Sequence, residues 1–295
     1  MAEPYNPRLA MGSQSAPSIS TMLTQSNRAR LIIMSQVSDQ LPILVFLPGL
    51  DGSDLSLRNH FEALATTFDV RCFSIPGDDI SDWTGLVNRL VELLTPEKES
   101  RPGRPIYLCG ESFGACLGLK AVSQHPDLFD RLILINPASS FNRRLWRSLG
   151  AAVVRRMPGR AYRVGASGLM PFLVASHRVT KHNRQALRRA MQAVTPEAVA
   201  WRLSLLRDFR LNQAALTRFK SPTLLVAATA DRLLPSKAEV KRLGNQLQRT
   251  QITMLDGSGH ACLLERDISL YKILKQSQLI PSEQRRQPLA DALAV

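Results

Sequence analysis

Pro105-Ile106-Tyr107-Leu108-Cys109-Gly110-Glu111-Ser112-Phe113-Gly114 decides the reading of this chain. Pro105–Cys109 is a short apolar run of the kind a buried strand shows, and Ser112–His125 carries a helical pattern. Between them lies a G-x-S-x-G sequence, Gly110 to Gly114. On a sharp strand-to-helix turn such a serine projects its hydroxyl from the edge of a sheet, and the flanking glycines let strand and helix pack closely. The N-terminus of the following helix points at any negative charge that forms there. Ser112 is therefore the expected nucleophile.

The same rhythm continues on both sides. Ile43–Leu47 (ending at Pro48-Gly49), Asp69–Ser74 and Arg131–Asn136 read as further strands. Asp54–Thr67 and Ser81–Thr95 have helical spacing, through Leu55, Leu57, Phe61 and Leu64 and through Trp83, Leu86, Leu90 and Leu94. After an interruption the alternation resumes with strands Thr223–Ala228 and Gln251–Leu255 and helices Ser236–Gln246 and Ala261–Lys275. Alternating strands and helices predict an α/β fold, a mostly parallel sheet with helices on both faces. Its core spans residues 41–136 and 221–277. The interruption, 137–220, is expected to be a helical cap, its Arg-rich helices split by Pro158, Pro171 and Pro196. Residues 1–40 are polar and Ser/Gln-rich, without the apolar core of a secretory signal, and are expected to be a disordered leader. Residues 278–295 are expected to form a loose tail.

A serine hydroxyl needs a base to take its proton, and the base needs a carboxylate to orient it. On this scaffold the chain order is serine, acid, histidine. Asp231 follows the Thr223–Ala228 strand and His260 follows Gln251–Leu255, both just past strand C-terminal ends, where open α/β sheets place their sites. The expected catalytic triad is Ser112, Asp231 and His260. A turn role before the next helix is the rival reading for Asp231. Asp256 is the alternative acid, although its Gly-rich surroundings suit an Asx-turn better. His60 and His125 read as helix ends on the surface, and His177 and His182 fall in the basic insertion. His125 and Asp130 match an acyltransferase H-x4-D spacing, but the histidine ends a helix and the aspartate opens a strand, which makes the match a coincidence. For the oxyanion hole, the N–H groups of Leu50 and Phe113 are expected, one from the Leu47–Gly52 turn and one from the residue after the nucleophile. Pro48 has no N–H to offer.

Composition narrows the alternatives. With 295 residues, 44% hydrophobic and 21% charged, the chain is an ordinary globular protein, not a disordered one. No apolar run reaches the ~18 residues of a membrane span. Cys72, Cys109, Cys116 and Cys262 form no CxxC pair and no zinc spacing, so no metal is implied, and no nucleotide or flavin either. The formal charge of +14 is concentrated: residues 137–220 hold 17 of the 38 Lys and Arg but only Glu197 and Asp208 on the acidic side, a net of +15 against −1 elsewhere. A basic surface of this kind attracts anionic partners. It lacks the stacking aromatics or finger motifs of nucleic-acid binders, so nucleic acid is not expected; peripheral contact with an anionic membrane through 137–220, a phosphate-bearing substrate and a solvated face with no specific partner stay open.

The motifs in this order resemble the α/β-hydrolase superfamily over residues 40–277. Phe46-Leu47-Pro48-Gly49-Leu50-Asp51-Gly52, Phe68-Asp69-Val70-Arg71-Cys72, Arg104-Pro105-Ile106-Tyr107-Leu108 and Ile135-Asn136-Pro137-Ala138-Ser139-Ser140-Phe141 resemble the hydrolase half of the plant and cyanobacterial phytyl ester synthase family. That resemblance implies lipase- or thioesterase-like chemistry on galactolipids, acyl carriers, phytol or diacylglycerol. It also implies a cytoplasmic enzyme peripheral to an internal membrane such as the thylakoid. After residue 277 there is no room for the separate acyltransferase domain of the two-part members, so hydrolysis of acyl esters or thioesters is the expectation. An acyltransferase passing the acyl group to an alcohol such as phytol is the first rival, and a non-enzymatic basic membrane-binding scaffold the second. Leu169, Met170, Phe172 and Leu173 in the cap are the expected liners of an acyl pocket.

Overall fold

The computed structural model describes residues 28–34, 40–141 and 168–280. Most of the expected leader, residues 142–167 of the expected cap and most of the expected tail lie outside the described residues.

Seven strands form one sheet: β1 (Arg30–Ile33), β2 (Ile43–Leu47), β3 (Asp69–Ser74), β4 (Ile106–Glu111), β5 (Arg131–Ile135), β6 (Thr223–Ala228) and β7 (Thr250–Leu255). Their order across the sheet is β1-β3-β2-β4-β5-β6-β7. Every neighbouring pair is parallel except β1 with β3. The helices are α1 (Leu55–Arg58), α2 (Phe61–Ala65), α3 (Trp83–Ser100), α4 (Phe113–Gln124), α5 (Met170–Leu173), α6 (Lys181–Ala193), α7 (Pro196–Arg207), α8 (Gln213–Leu216), α9 (Ser236–Gly244) and α10 (Leu270–Gln276). The central strands β2 and β4 are buried at every position, as a sheet covered on both faces requires. Side chains alternate between two cores. Val45, Leu108 and Leu134 meet α3, α4 and α9 on one face, while Leu44, Cys109 and Ile133 meet α1, α2 and α10 on the other.

Several local expectations need correction. Arg30–Ile33, inside the stretch expected to be leader, is strand β1, with Arg30 opposite Ser74 and Ile32 opposite Cys72. It is a short edge strand: the apolar run Leu31-Ile32-Ile33-Met34 is there in the sequence, but it lies in an otherwise polar stretch and three of the four strand residues are exposed. Asp54–Thr67 is two short helices, broken at Asn59-His60. His60 is not on the surface: it is buried, and its Nε2 lies 2.8 Å from the Leu263 carbonyl. Ala261–Lys275 is not one helix. A 3-10 turn at Cys262–Leu264 precedes α10, and in the segment between them Glu265 and Asp267 pair with Arg178. Leu279, placed in the expected tail, is buried in the core.

Within 168–220 the described residues include helices α5 to α8, joined by loops. Thr180 and Thr195 cap α6 and α7 by accepting from Asn183 and Ala198 N–H, and Pro196 opens α7 where its missing N–H costs nothing. Helix α4 comes so close to β2 that a Cβ built on Gly114 would lie 2.1 Å from the Leu47 carbonyl oxygen. That clash is with backbone and no rotamer relieves it. Gly114→Ala is expected to cost about 1–3 kcal/mol, the usual range for overpacking. Urea denaturation measures it, and a midpoint equal to that of the unaltered chain would refute the close approach.

Candidate active site

Strand β4 ends at Glu111, and Ser112 turns the chain into α4 with φ 53° and ψ −107°. A non-glycine residue there is strained by about 1–3 kcal/mol and persists only if its surroundings hold it. They do: the Ser112 N–H donates to Ile135 O (2.9 Å), and the Ser112 carbonyl accepts from Ala138 N–H (3.2 Å). The turn aims the hydroxyl out of the sheet's C-terminal edge.

His260 meets it there. Its Nε2 is 2.9 Å from Ser112 Oγ, and its Nδ1 is 2.8 Å from Asp231 Oδ2. The ring is buried, with 4% of the residue exposed. Its backbone is held from β5: Asn136 Nδ2 donates to the His260 carbonyl (2.6 Å), while Asn136 Oδ1 accepts from Ala228 N–H (2.7 Å). Asn136 has φ 45°, a left-handed conformation that asparagine tolerates better than most residues. It links the ends of β5 and β6 to the histidine loop, a role the sequence pattern did not reveal.

Asp231 makes the contacts of both readings that compete in the sequence. Its Oδ1 accepts from the N–H groups of Leu233 (2.8 Å) and Leu234 (2.9 Å), and its Oδ2 accepts from Ser236 Oγ as well as from His260. Burial alone would raise its pKa, but the imidazole and these donors outweigh that and hold it below the usual carboxylate value. Asp256 instead accepts from Thr229 Oγ1 (3.0 Å). Leu50 faces the same cavity as Ser112 and His260, and Phe113 opens α4. Among the described residues, neither N–H has an acceptor.

The comparisons agree with this geometry. A family model for hydrolases described as "Serine aminopeptidase, S33" matches residues 77–267. The chain belongs to the α/β-hydrolase superfamily. Phytyl ester synthase 1, chloroplastic, from Arabidopsis thaliana is 31% identical over 259 residues, covering 80% of this chain and 37% of the relative. The chain thus spans little more than a third of that relative's length. Two solved structures share the fold: MenH from S. aureus (TM-score 0.68, 19% identity, 85% of this chain and 99% of that one) and a thermophilic esterase from Thermogutta terrifontis (TM-score 0.69, 17% identity, 86% and 95%).

Ser112 and His260 line a cavity of about 350 Å³, and Asp231 sits behind the imidazole. The cap supplies most of its apolar wall, including Leu187, Met191, Val194 and Leu203. Of the expected liners, Leu169 and Leu173 face the cavity. Met170 and Phe172 do not: α5 is a single turn, so 169 and 173 share a face, while Met170 packs into a neighbouring cluster and Phe172 is 49% exposed. Among the described residues, no group of three or more His, Cys, Asp or Glu could hold a metal.

Two acids also line the cavity, Asp51 and Glu111. Burial pushes Glu111 from its ordinary 4.5 up to about 7, against the hydrogen bond from Ser56 and the attraction of His260, with the Asp51 charge adding to the rise. Burial also raises Asp51, against hydrogen bonds from Ser53 and the charge of Arg202. Glu111 occupies the variable place in G-x-S-x-G, so no motif singles it out. Because its pKa is raised, the folded chain binds this proton more tightly than the unfolded chain. The contribution to stability is full below about pH 4.5 and is lost as pH rises through 7. In Glu111→Gln that titration is gone, so the melting temperature of the wild type should fall relative to the variant across this window. Parallel curves would show that Glu111 does not titrate this way.

Proposed function

We propose that this α/β-hydrolase is a serine esterase, lipase or thioesterase that cleaves acyl esters through an acyl-enzyme on Ser112. The observation that carries the proposal is the unbroken Ser112–His260–Asp231 hydrogen-bond chain opening on a largely apolar cavity. Ser112 Oγ attacks the carbonyl carbon as His260 Nε2 takes its proton, and Asp231 stabilises the imidazolium through Nδ1–H. The negative charge on the former carbonyl oxygen is met by the N–H groups of Leu50 and Phe113. His260 then returns the proton to the leaving alkoxide or thiolate, and the acyl group stays on Ser112. Water, deprotonated by the same imidazole, attacks the acyl-enzyme and releases the acid.

The apolar wall suits an acyl chain, which makes lipid-type substrates the reading of choice. An alcohol in place of water gives an ester instead of an acid by the same steps. The name of the Arabidopsis relative, a phytyl ester synthase, supports that second reading. Phytol added to the assay, with ester product that depends on Ser112, is its test.

Hydrolysis of p-nitrophenyl esters from acetyl to palmitoyl tests the first reading. Ser112→Ala is expected to lose about 10⁴-fold or more in kcat, and Asp231→Asn about 10³–10⁴-fold, because the imidazole loses its orienting carboxylate. Retention of activity in Ser112→Ala would end the proposal.

The reading extends to a membrane surface. No helix of the described residues is long and apolar enough to cross a membrane. The exposed Leu169 and Phe172 and the cations Lys181, Arg188 and Arg189 of α6 are suited to rest on anionic lipid. Each such cation is worth about 1 kcal/mol near a charged bilayer. Co-sedimentation with phosphatidylglycerol vesicles is expected to drop steeply with salt, and further when the three cations become glutamate, while cleavage of a short soluble ester persists. Binding indifferent to salt would contradict this placement.

A further inference from the structure

Arg202 is among the largest side chains that the described fold buries completely, with 2% of the residue exposed. It projects from α7 in the cap into the core. Its Nη1 donates to the Leu50 carbonyl (2.8 Å), and its Nη2 donates to the Pro76 carbonyl (2.5 Å) and, at longer range, to that of Asp79 (3.5 Å). One guanidinium thus joins three pieces of chain: the cap helix, the turn after β2 and the loop after β3.

The first of those carbonyls belongs to the residue whose N–H the proposed mechanism uses. The Leu47–Gly52 turn has few other ties. Gly52 N–H donates to Gly49 O (3.1 Å), Ile75 N–H donates to Gly52 O (2.9 Å), and Asp51 bonds Ser53. Gly52 has φ +73°, and a Cβ there would lie 2.3 Å from Ile75 O and 3.2 Å from Arg202 Nη1. The turn is pressed between the β3 loop and the guanidinium. A planar fork with several donors can hold two carbonyls at a set separation, and a lysine ammonium on a flexible stem cannot reproduce that geometry.

We infer that Arg202 is a positioning residue for the oxyanion hole, fixing the peptide around Leu50 so that its N–H faces the reacting carbonyl. The inference rests on the serine-hydrolase reading above. It makes the cap part of the chemistry as well as of the pocket wall, since displacement of α7 would carry the Leu50 carbonyl with it.

Trp201 provides the control. It ties the same helix to the core through Nε1–H to Ser81 O (3.0 Å) without touching the Leu50 turn. Arg202→Lys, Arg202→Met and Trp201→Phe would be compared for thermal unfolding, ester kinetics and affinity for a trifluoromethyl ketone, which forms a tetrahedral oxyanion on an active serine. Labelling of Ser112 by a fluorophosphonate would be followed in each protein.

In both Arg202 variants kcat is expected to fall by about 10²-fold, the scale of a misplaced or lost oxyanion donor, with KM changed only a few-fold and ketone affinity weakened in step. Trp201→Phe should lower the melting temperature yet keep kcat and ketone affinity. If Arg202→Lys keeps both, or if all three variants lose activity only in proportion to their loss of stability, the inference is overturned and Arg202 merely fastens the cap. Failure of both Arg202 variants to fold likewise overturns it. Wild type that is neither labelled at Ser112 nor active would remove the hydrolase reading itself, a result separable from the others because it appears before any substitution.

Discussion

The site depends on one strained residue. Ser112 sits at φ 53°, where a serine gains nothing from its own side chain, and every other part of the site is placed relative to it. Its N–H is held by Ile135 and its carbonyl by Ala138, so β5 and the turn after it clamp Ser112 from one side. From the other side the first turn of α4 lies against the end of β2, with Gly114 at the closest point. Removing either support would let the chain relax toward an ordinary strand-to-helix connection, and the hydroxyl would then no longer reach His260. The strain is tolerable because it is confined to a single residue between a fully buried strand and a helix that is buried along most of its length.

Three chain segments distant in sequence converge on that residue because parallel strands all present their C-terminal ends at the same edge. Asp231 and His260 follow neighbouring strands β6 and β7, and the β6–β7 pairing sets how far apart they begin. Asn136 refines the placement by bonding the backbone of both neighbours. From above, Arg178 plays a comparable part for the histidine loop: it donates to the Asp256 carbonyl (2.6 Å) and pairs with Glu265, whose other oxygen accepts from Gly259 N–H (2.7 Å). Core and cap therefore both fix the histidine.

Much of this was legible in the sequence, for identifiable reasons. Buried parallel strands such as Ile43–Leu47 are continuous apolar runs, and a nucleophile turn must carry small residues at fixed offsets, so β2, β4 and Ser112 announce themselves. What escaped depends on distant partners. β1 is a short, largely exposed edge strand whose apolar run lies in an otherwise polar stretch, and its antiparallel pairing with β3 is what fixes it in the sheet. His60 looks like a surface helix end until the Leu263 carbonyl, two hundred residues later, accepts a hydrogen bond from its ring. Pocket liners could be guessed by composition, but which face of a one-turn helix looks inward, Leu169 or Phe172, is set by packing against the core. Glu111 and Arg202 carry charge, and charge in a sequence reads as surface.

That last point changes the meaning of the basic surplus. Within the described part of the cap segment, arginine repeatedly serves as an internal donor. Arg202 bonds carbonyls in the core, Arg178 bonds the histidine loop, Arg184 bonds Ser176 O, and Arg218 bonds Ser123 O. Arg207 pairs with its neighbour Asp208. A fork of fixed donors can satisfy several carbonyls that a cap laid across loop ends would otherwise leave unbonded, which is one physical reason for arginine to dominate over lysine in this segment. The field felt by an anionic partner then comes mainly from the cations that face solvent, such as Lys181, Arg188 and Arg189 on α6. These lie on the same helix whose inward face supplies Leu187 and Met191 to the cavity. One helix thus separates exposed charge from an apolar cavity wall across its own width.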